Sequence, residues 1–205
     1  MLAWIADARA ALVPAPRTTT DLLLDVACGG GLLAPRVSGY RHVGVDLSRP
    51  ALDLARDHGV ETVRGDVLRL PFADGTFAVV VAGEILEHVA DHRRLVAEVC
   101  RVLEPGGTLI IDAIAATWWG RFSAITVGER IPAGPPAGLH DGALFVNRRE
   151  LLDEAARHGV ALALNGLRPS ARDYLLWAAR LKTTVRMIPR GPTAGLFQAV
   201  GTKTG

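Results

Sequence analysis

Three side chains of types that bind metal ions or carry protons stand close together in Glu84-Ile85-Leu86-Glu87-His88. Their spacing predicts that Glu84, Glu87 and His88 share one turn of helix and point to one side. Two neighbouring carboxylates raise each other's pKa unless a cation lies between them, and carboxylates with an imidazole suit Mg²⁺, Mn²⁺ or Zn²⁺. The sequence therefore indicates a divalent metal site. The alternative is a structural role in which Glu87 only caps or hydrogen-bonds locally.

A further histidine, His140, stands before Asp141 at the end of an irregular segment rich in Trp, Pro and Gly. It is a candidate fourth metal ligand after Glu84, Glu87 and His88, and a candidate general base. The alternative is an exposed loop histidine. The catalytic candidates are thus His140, Glu87 and His88, whereas His42, His58, His92 and His158 are expected on the surface and receive no role.

A glycine-rich corner, Asp25-Val26-Ala27-Cys28-Gly29-Gly30-Gly31, follows the apolar run 22–27 and leads into a helix-like segment. Glycines let the backbone turn tightly and pass close to a ligand. A helix amino terminus behind them favours a negatively charged group. A tight turn without a ligand is the alternative.

Two aspartates make the corner more specific, because Asp46 ends the second apolar run and Asp66 ends the third. A carboxylate at the end of the second strand can accept hydrogen bonds from both hydroxyls of a ribose. An acceptor at Asp66 suits an exocyclic amine, with Leu47 and Val67 flanking an adenine ring. Together these residues predict an adenosine site; a nicotinamide cofactor is disfavoured, because the glycine spacing differs and Asp66 would have no role. The cofactor-binding candidates are Asp25, Ala27, Gly29, Gly31, Asp46, Leu47, Asp66 and Val67.

Short apolar runs alternate with amphipathic stretches along most of the chain, which predicts an α/β fold with a doubly wound, mostly parallel, Rossmann-like sheet covered on both faces. We expect a single domain over residues 1–205, with an irregular insertion on the substrate side at about 117–145. The predicted strands are 22–27, 42–47, 60–63, 77–82, 108–114, 160–167 and 195–202. The predicted helices are 50–58, 91–103, 148–158 and 170–185.

The composition bounds the class of protein. The chain has 205 residues, of which 49% are apolar and 21% charged, and this balance excludes a disordered chain. No uncharged stretch approaches the roughly 20 residues of a membrane-spanning helix. Two cysteines and no leader pattern predict a cytoplasmic protein. A net charge of +2 does not call for a nucleic-acid partner.

As a set, these motifs resemble those of class I S-adenosylmethionine-dependent methyltransferases. The resemblance covers about residues 20–115 and rests on the glycine corner, Gly44-Val45-Asp46, Gly65-Asp66, Leu70-Pro71-Phe72, 77–81 and Leu103-Glu104-Pro105-Gly106-Gly107. It implies S-adenosyl-L-methionine as cofactor and a seven-stranded sheet in which 195–202 is the antiparallel strand. One departure is Ala27, which stands where the family has its first glycine.

A wider resemblance, to the ubiquinone-biosynthesis (3-demethylubiquinone) O-methyltransferases, rests on Glu84-x-x-Glu87-His88-Val89, the Trp- and Gly-rich insertion, and Leu139-His140-Asp141 leading to Phe145. It implies metal-assisted methyl transfer to a phenol, catechol or quinone precursor, and peripheral membrane attachment through about 117–136. The apolar pair Trp118-Trp119 fits core or lid packing, a membrane contact or a dimer contact. The alternatives are a metal-independent C-, N- or O-methyltransferase with a histidine base, an RNA-end methyltransferase and a cofactor-binding protein.

Overall fold

The computed structural model describes residues 2–131 and 134–205, and within these ranges strands and helices alternate along the chain. The helices are α1 (Leu2–Ala10), α2 (Arg49–Asp57), α3 (His92–Val102), α4 (Trp118–Arg121), α5 (Arg148–Arg157) and α6 (Ala171–Ala178). The strands are β1 (Leu22–Val26), β2 (Arg41–Asp46), β3 (Glu61–Arg64), β4 (Phe77–Gly83), β5 (Leu103–Ile114), β6 (Val160–Gly166), β7 (Arg168–Pro169), β8 (Met187–Ile188) and β9 (Leu196–Lys203).

Seven of the strands form one sheet in the order β3-β2-β1-β4-β5-β9-β6. The pairings among β1 to β5 are parallel, and β9 runs antiparallel to both of its neighbours, β5 and β6. This arrangement confirms the predicted doubly wound sheet and its antiparallel last strand. The carboxyl ends of β1, β2, β3, β4 and β5 consequently share one edge, where open α/β sheets bind ligands.

The centre of the sheet is buried on both faces because its strands carry apolar side chains in unbroken runs. In β4, every residue from Phe77 to Ala82 is buried. Helix α3 covers this region through Leu95, Val96 and Val99, which lie on one face of the helix and are buried. The core therefore fixes the loops that follow β1, β2 and β4, where the candidate site residues lie.

Parts of the chain differ from the sequence prediction; strand β5 begins at Leu103 instead of 108. Helix α1 was not predicted, and α6 ends at Ala178 instead of extending to Val185. The early end has a local cause, because Arg180 adopts a φ of 60°, which is incompatible with a continuing right-handed helix. The two helices pack together, with the rings of Trp4 and Trp177 in an edge-to-face contact at 5.3 Å.

The segment after β5 consists of short irregular elements. Helix α4 continues into a π-helical turn, Phe122–Val127, and then a 3₁₀ turn, Gly128–Arg130. Pro132 and Ala133, which fall within the predicted insertion, lie outside the described residues. In residues 2–131 and 134–205, the helices lack the length and apolar character that crossing a bilayer requires.

Candidate active site

The turn that follows β1 is built from small residues in left-handed conformations. Ala27, Gly29 and Gly31 have φ values of 56°, 52° and 72°. Gly31 is also required by packing, because a Cβ there would approach the Cα of Ala55 in α2 to 3.0 Å. Ala27 carries a side chain in a backbone conformation that favours glycine.

The carboxylate of Asp46 ties the end of β2 to this glycine turn. Its Oδ2 accepts a hydrogen bond from the backbone N–H of Gly29 at 2.9 Å, and its Oδ1 accepts one from the N–H of Ser48 at 2.8 Å. Each carboxylate oxygen has a second lone pair, so these two bonds leave acceptor capacity for a ligand. The structure therefore brings Asp46 and Gly29, two of the predicted cofactor-binding residues, into contact.

The other cofactor candidates occupy the same edge in different environments. Asp66 is exposed at the end of β3, and its Oδ1 accepts a hydrogen bond from the N–H of Leu68. Leu47 is 61% exposed, an unusual state for leucine, whereas Val67 is buried. Their role beside an adenine ring stays a prediction.

Asp25 is buried within β1, where its carboxylate lies 3.7 Å from Nε2 of His42 on β2. The expectation that His42 lies on the surface is wrong. Strand β2 lies between β1 and β3 in the sheet, and the side chain of His42 is buried there. The carboxylate of Asp25 is therefore buried beside His42 and is not exposed at the end of β1.

The acidic cluster follows β4 directly, but its backbone differs from the predicted single helical turn. Glu84 has a φ of 57°, and only Leu86–His88 form a turn, of the 3₁₀ type. As a result Glu87 is 1% exposed while His88 is exposed. A left-handed conformation at a non-glycine residue is strained, and such strain persists where the surrounding structure imposes it.

Burial disfavours the charged form of both glutamates, Glu84 and Glu87. Among the described residues, Oε1 of Glu84 and both carboxylate oxygens of Glu87 are buried without a hydrogen-bond partner. Burial, reinforced by the nearby charge of Asp112, raises the pKa of Glu84 to about 7. Burial and then the charge of Glu84 raise the pKa of Glu87 well above its usual value. The pair favours either protonation or a nearby cation.

The guanidinium of Arg9, on α1, lies at this edge of the sheet and carries a positive charge. Arg9 was not among the residues predicted from the sequence. Its guanidinium forms a buried ion pair with Asp112 of β5 and lies against Gly83, where a Cβ would overlap it. Burial lowers the pKa of Arg9, but the charges of Asp112, Glu84 and Asp25 outweigh this and leave the pKa raised. The pairing joins residues 103 positions apart, so no local pattern could have indicated it.

The structure places His140 beside His88, one member of the predicted cluster. Its ring stacks on the ring of His88 with centroids 6.1 Å apart and planes 22° apart. Its Nδ1 lies 3.1 Å from Oε1 of Glu129, a residue that the sequence analysis did not single out. Burial, and then the proximity of His140, lowers the pKa of His88.

The predicted four-ligand metal site is not preassembled in this arrangement. In residues 2–131 and 134–205, no three His, Cys, Asp or Glu side chains are grouped closely enough to share an ion. The donor chemistry nevertheless fits a divalent cation, because unpartnered carboxylate oxygens of Glu84 and Glu87 adjoin the loop of His88, which faces His140.

Comparisons with known proteins agree with the fold and the motifs. A family model described as a methyltransferase domain matches residues 24–111. A curated relative, the ubiquinone biosynthesis O-methyltransferase of Thiobacillus denitrificans, is 35% identical over 147 residues, which cover 67% of this chain and 63% of the relative. The chain thus matches less than two thirds of that relative's length.

Solved structures share the fold at low sequence identity. A methyltransferase of Thermotoga maritima, described as a possible histamine N-methyltransferase, superposes with a TM-score of 0.71 at 20% identity, covering 98% of this chain and 89% of that one. The cyclase SpnF superposes with a TM-score of 0.60 at 21% identity, covering 99% of this chain and 80% of that one. The fold is therefore shared with a protein named for a different reaction.

The sheet order, the glycine turn tied to Asp46 and the matching motifs define the class I methyltransferase fold. The chain therefore carries a methyltransferase domain with the class I fold, and it resembles the class I S-adenosylmethionine-dependent methyltransferases, among them the ubiquinone-biosynthesis O-methyltransferases.

Proposed function

We propose that this protein is an S-adenosylmethionine-dependent O-methyltransferase acting on a phenolic, catechol-like or quinone-precursor small molecule. The observation that carries the proposal is the stacking of His140 on His88, beside two buried glutamates, at the sheet edge that also bears the glycine turn. The names of the curated relatives support an oxygen acceptor.

The cofactor is held, in this proposal, by the glycine turn and the aspartates at the ends of β2 and β3. Asp46 accepts hydrogen bonds from the ribose hydroxyls, and Asp66 accepts one from the adenine amine, with Leu47 and Val67 against the ring. When bound, S-adenosylmethionine supplies a methyl group on a positively charged sulfur. The remaining proposed contacts are Ala27, Gly29 and Gly31; Asp25, which is 4% exposed and lies beside His42, is not among them.

The divalent metal is the second component of the proposal. Glu84, Glu87, His88 and His140 would hold it, since Oε1 of Glu84 and both carboxylate oxygens of Glu87 are buried without a hydrogen-bond partner in the described part of the chain. A bound Mg²⁺, Mn²⁺ or Zn²⁺ supplies Lewis acidity, which favours the ionised form of an acceptor hydroxyl.

The protein's own residues contribute mainly orientation and proton handling. Methyl transfer is a direct displacement, so correct alignment of acceptor and donor provides much of the acceleration. Nε2 of His140 accepts the acceptor's proton when it is not coordinating a metal. Glu87 in the loop after β4 is shielded from water, which strengthens the electrostatic interactions of its carboxylate.

A second candidate function is a metal-independent methyltransferase in which a histidine alone acts as base. Two observations favour it: the described residues contain no group of three metal-type side chains, and His140 is already bonded to a carboxylate. The two candidates differ in their response to chelation.

The experiment that tests the proposal has two parts. Calorimetric titration with S-adenosylmethionine and its demethylated product measures cofactor binding; absence of binding would remove the proposal altogether. A mass-spectrometric screen of catechols and phenols, run with added divalent ions or with a chelator, measures methylation. Turnover that survives thorough chelation favours the metal-independent candidate.

A peripheral membrane contact of an otherwise cytoplasmic protein is proposed for the segment 117–136. Trp118 and Trp119 are 73% and 51% exposed, and Trp118 stacks on Phe122 with centroids 5.3 Å apart. Exposed aromatic clusters of this kind suit the boundary between lipid headgroups and acyl chains. We place cofactor and acceptor in one domain spanning residues 1–205, with this segment on the acceptor side.

A further inference from the structure

We propose that Glu129 is a positioning residue that fixes the tautomer and orientation of His140, so that Nε2 of the imidazole is presented to the reaction centre. The expected effect on turnover rests on the proposed function, whereas the effect of Glu129 on the tautomer of His140 does not.

The carboxylate of Glu129 is fully engaged with the loop that carries His140. Its Oε2 accepts a hydrogen bond from the N–H of Gly138 at 2.7 Å. Its Oε1 accepts one from the N–H of His140 at 3.0 Å and lies 3.1 Å from Nδ1 of the same residue. The two side chains are 5% and 8% exposed, so water does not compete freely for these bonds.

The direction of these bonds determines the tautomer. Both oxygens of the Glu129 carboxylate accept a backbone N–H, so both act as acceptors in this contact. Nδ1 of His140, which lies 3.1 Å from Oε1, must therefore carry the hydrogen. In a neutral imidazole the other nitrogen, Nε2, is then the acceptor, which is the form that a general base or a metal ligand needs.

The ring plane is fixed from two further sides. His88 stacks on the ring at 6.1 Å, and the ring of Phe145 meets it nearly edge-on, also at 6.1 Å. The turn that holds Glu129 is itself tied down, because Arg130 donates hydrogen bonds to the carbonyls of Ile125 and Thr126. Glu129 is therefore held in place to orient His140.

The test is a histidine-ring ¹⁵N NMR spectrum of the full chain at mildly alkaline pH, where imidazoles are neutral. The His140 signals are assigned by their loss in His140→Gln. We expect the wild type to show the Nδ1–H form, and Glu129→Gln to shift the population toward Nε2–H. The control Glu61→Gln, which removes the same charge from a surface ion pair with Arg41, should leave the signals unchanged.

Glu129→Asp provides a second variant should Glu129→Gln fold poorly, because it keeps the carboxylate but shortens the side chain; an intermediate tautomer population is expected. A wild-type spectrum dominated by Nε2–H, or signals that do not respond to either variant, would overturn the inference.

Kinetics separate this inference from the proposed function. If both hold, Glu129→Gln lowers kcat by roughly 10- to 100-fold while cofactor KM changes little. If the tautomer depends on Glu129 but His140→Gln retains full turnover, the proposed role of His140 fails and the positioning stands. If turnover requires His140 but neither turnover nor tautomer responds to Glu129, the positioning fails.

Discussion

Buried carboxylates without partners link protonation at the reaction centre to folding. The pKa of Glu84 is raised from 4.5 to about 7, and that of Glu87 is also raised. At pH values above 4.5 the folded state therefore binds more protons than the unfolded state. The metal-free protein should lose stability as the pH rises from about 4.5 through 7, with a slope of up to about 1.4 kcal/mol per pH unit for each proton.

Urea unfolding in the presence of a chelator, at mildly acidic and mildly alkaline pH, measures this effect. Glu87→Gln should flatten the dependence and raise the alkaline stability, whereas the surface variant Glu61→Gln should do neither. Stability that increases with pH across this window would contradict the prediction.

Asp46 holds the glycine turn through Gly29 and is the proposed acceptor for the ribose hydroxyls. Asp46→Ala removes the proposed ribose acceptor and the hydrogen bond to Gly29, so cofactor affinity should fall by about 1.5–3 kcal/mol. Calorimetric titration with S-adenosylmethionine measures the loss. Asp53→Ala, an exposed aspartate of α2, serves as the control and should bind normally. An unchanged affinity would refute the ribose assignment.

Glu87 and His140 should affect turnover far more than cofactor binding. Glu87→Ala and His140→Ala are expected to abolish methyl transfer while cofactor affinity stays within a few-fold, because the proposed cofactor contacts lie after β1, β2 and β3. His158→Ala at the end of α5 is a suitable histidine control. Full turnover in either variant would exclude that residue from the chemistry.

At the scale of elements, α1 is attached to the sheet by the buried pair of Arg9 and Asp112. Arg9→Met should cost about 3–5 kcal/mol, because it leaves Asp112 buried without its cation. Adding Asp112→Asn should recover part of that loss, which a double-mutant cycle of unfolding free energies measures. Additive effects of the two substitutions would show that the pair does not hold α1 in place.

The same helix shows where sequence patterns stop being informative. Strand β4 and helix α3 were predicted because their buried positions are apolar and follow the spacing of a strand or a helix. Helix α1 was missed because a charged residue, Arg9, occupies its buried face and breaks that pattern. Helix α6 was overextended because its apolar spacing continues past Arg180, whose backbone ends it.

At the scale of the whole molecule, the position of the site was predictable and its internal contacts were not. Parallel strands place Asp46, Asp66 and the Glu84 loop on one edge, so the strand order alone brings them near each other. Neither the contact of Glu129 with His140 nor that of Arg9 with Asp112 follows from local spacing, since both depend on how distant segments pack.

The exposed aromatic cluster of α4 makes the membrane contact testable on the intact protein. Wild-type protein should sediment with liposomes, and Trp118→Ala/Trp119→Ala should reduce the bound fraction several-fold, because each exposed indole contributes apolar area at the interface. Replacing two exposed leucines, Leu175 of α6 and Leu181 beyond its end, with alanine is the control. Equal sedimentation of all three proteins would contradict the contact.

The place of β9 between β5 and β6 has a consequence for biosynthesis. During translation, β6 is complete some thirty residues before the strand that will join it to the rest of the sheet leaves the ribosome. Until then β5 and β6 each present an unpaired backbone edge, which invites pairing with other nascent chains. A premature stop codon before Leu196 would remove β9 and leave the edges of β5 and β6 permanently unpaired. Loss of these last residues should therefore yield aggregated protein.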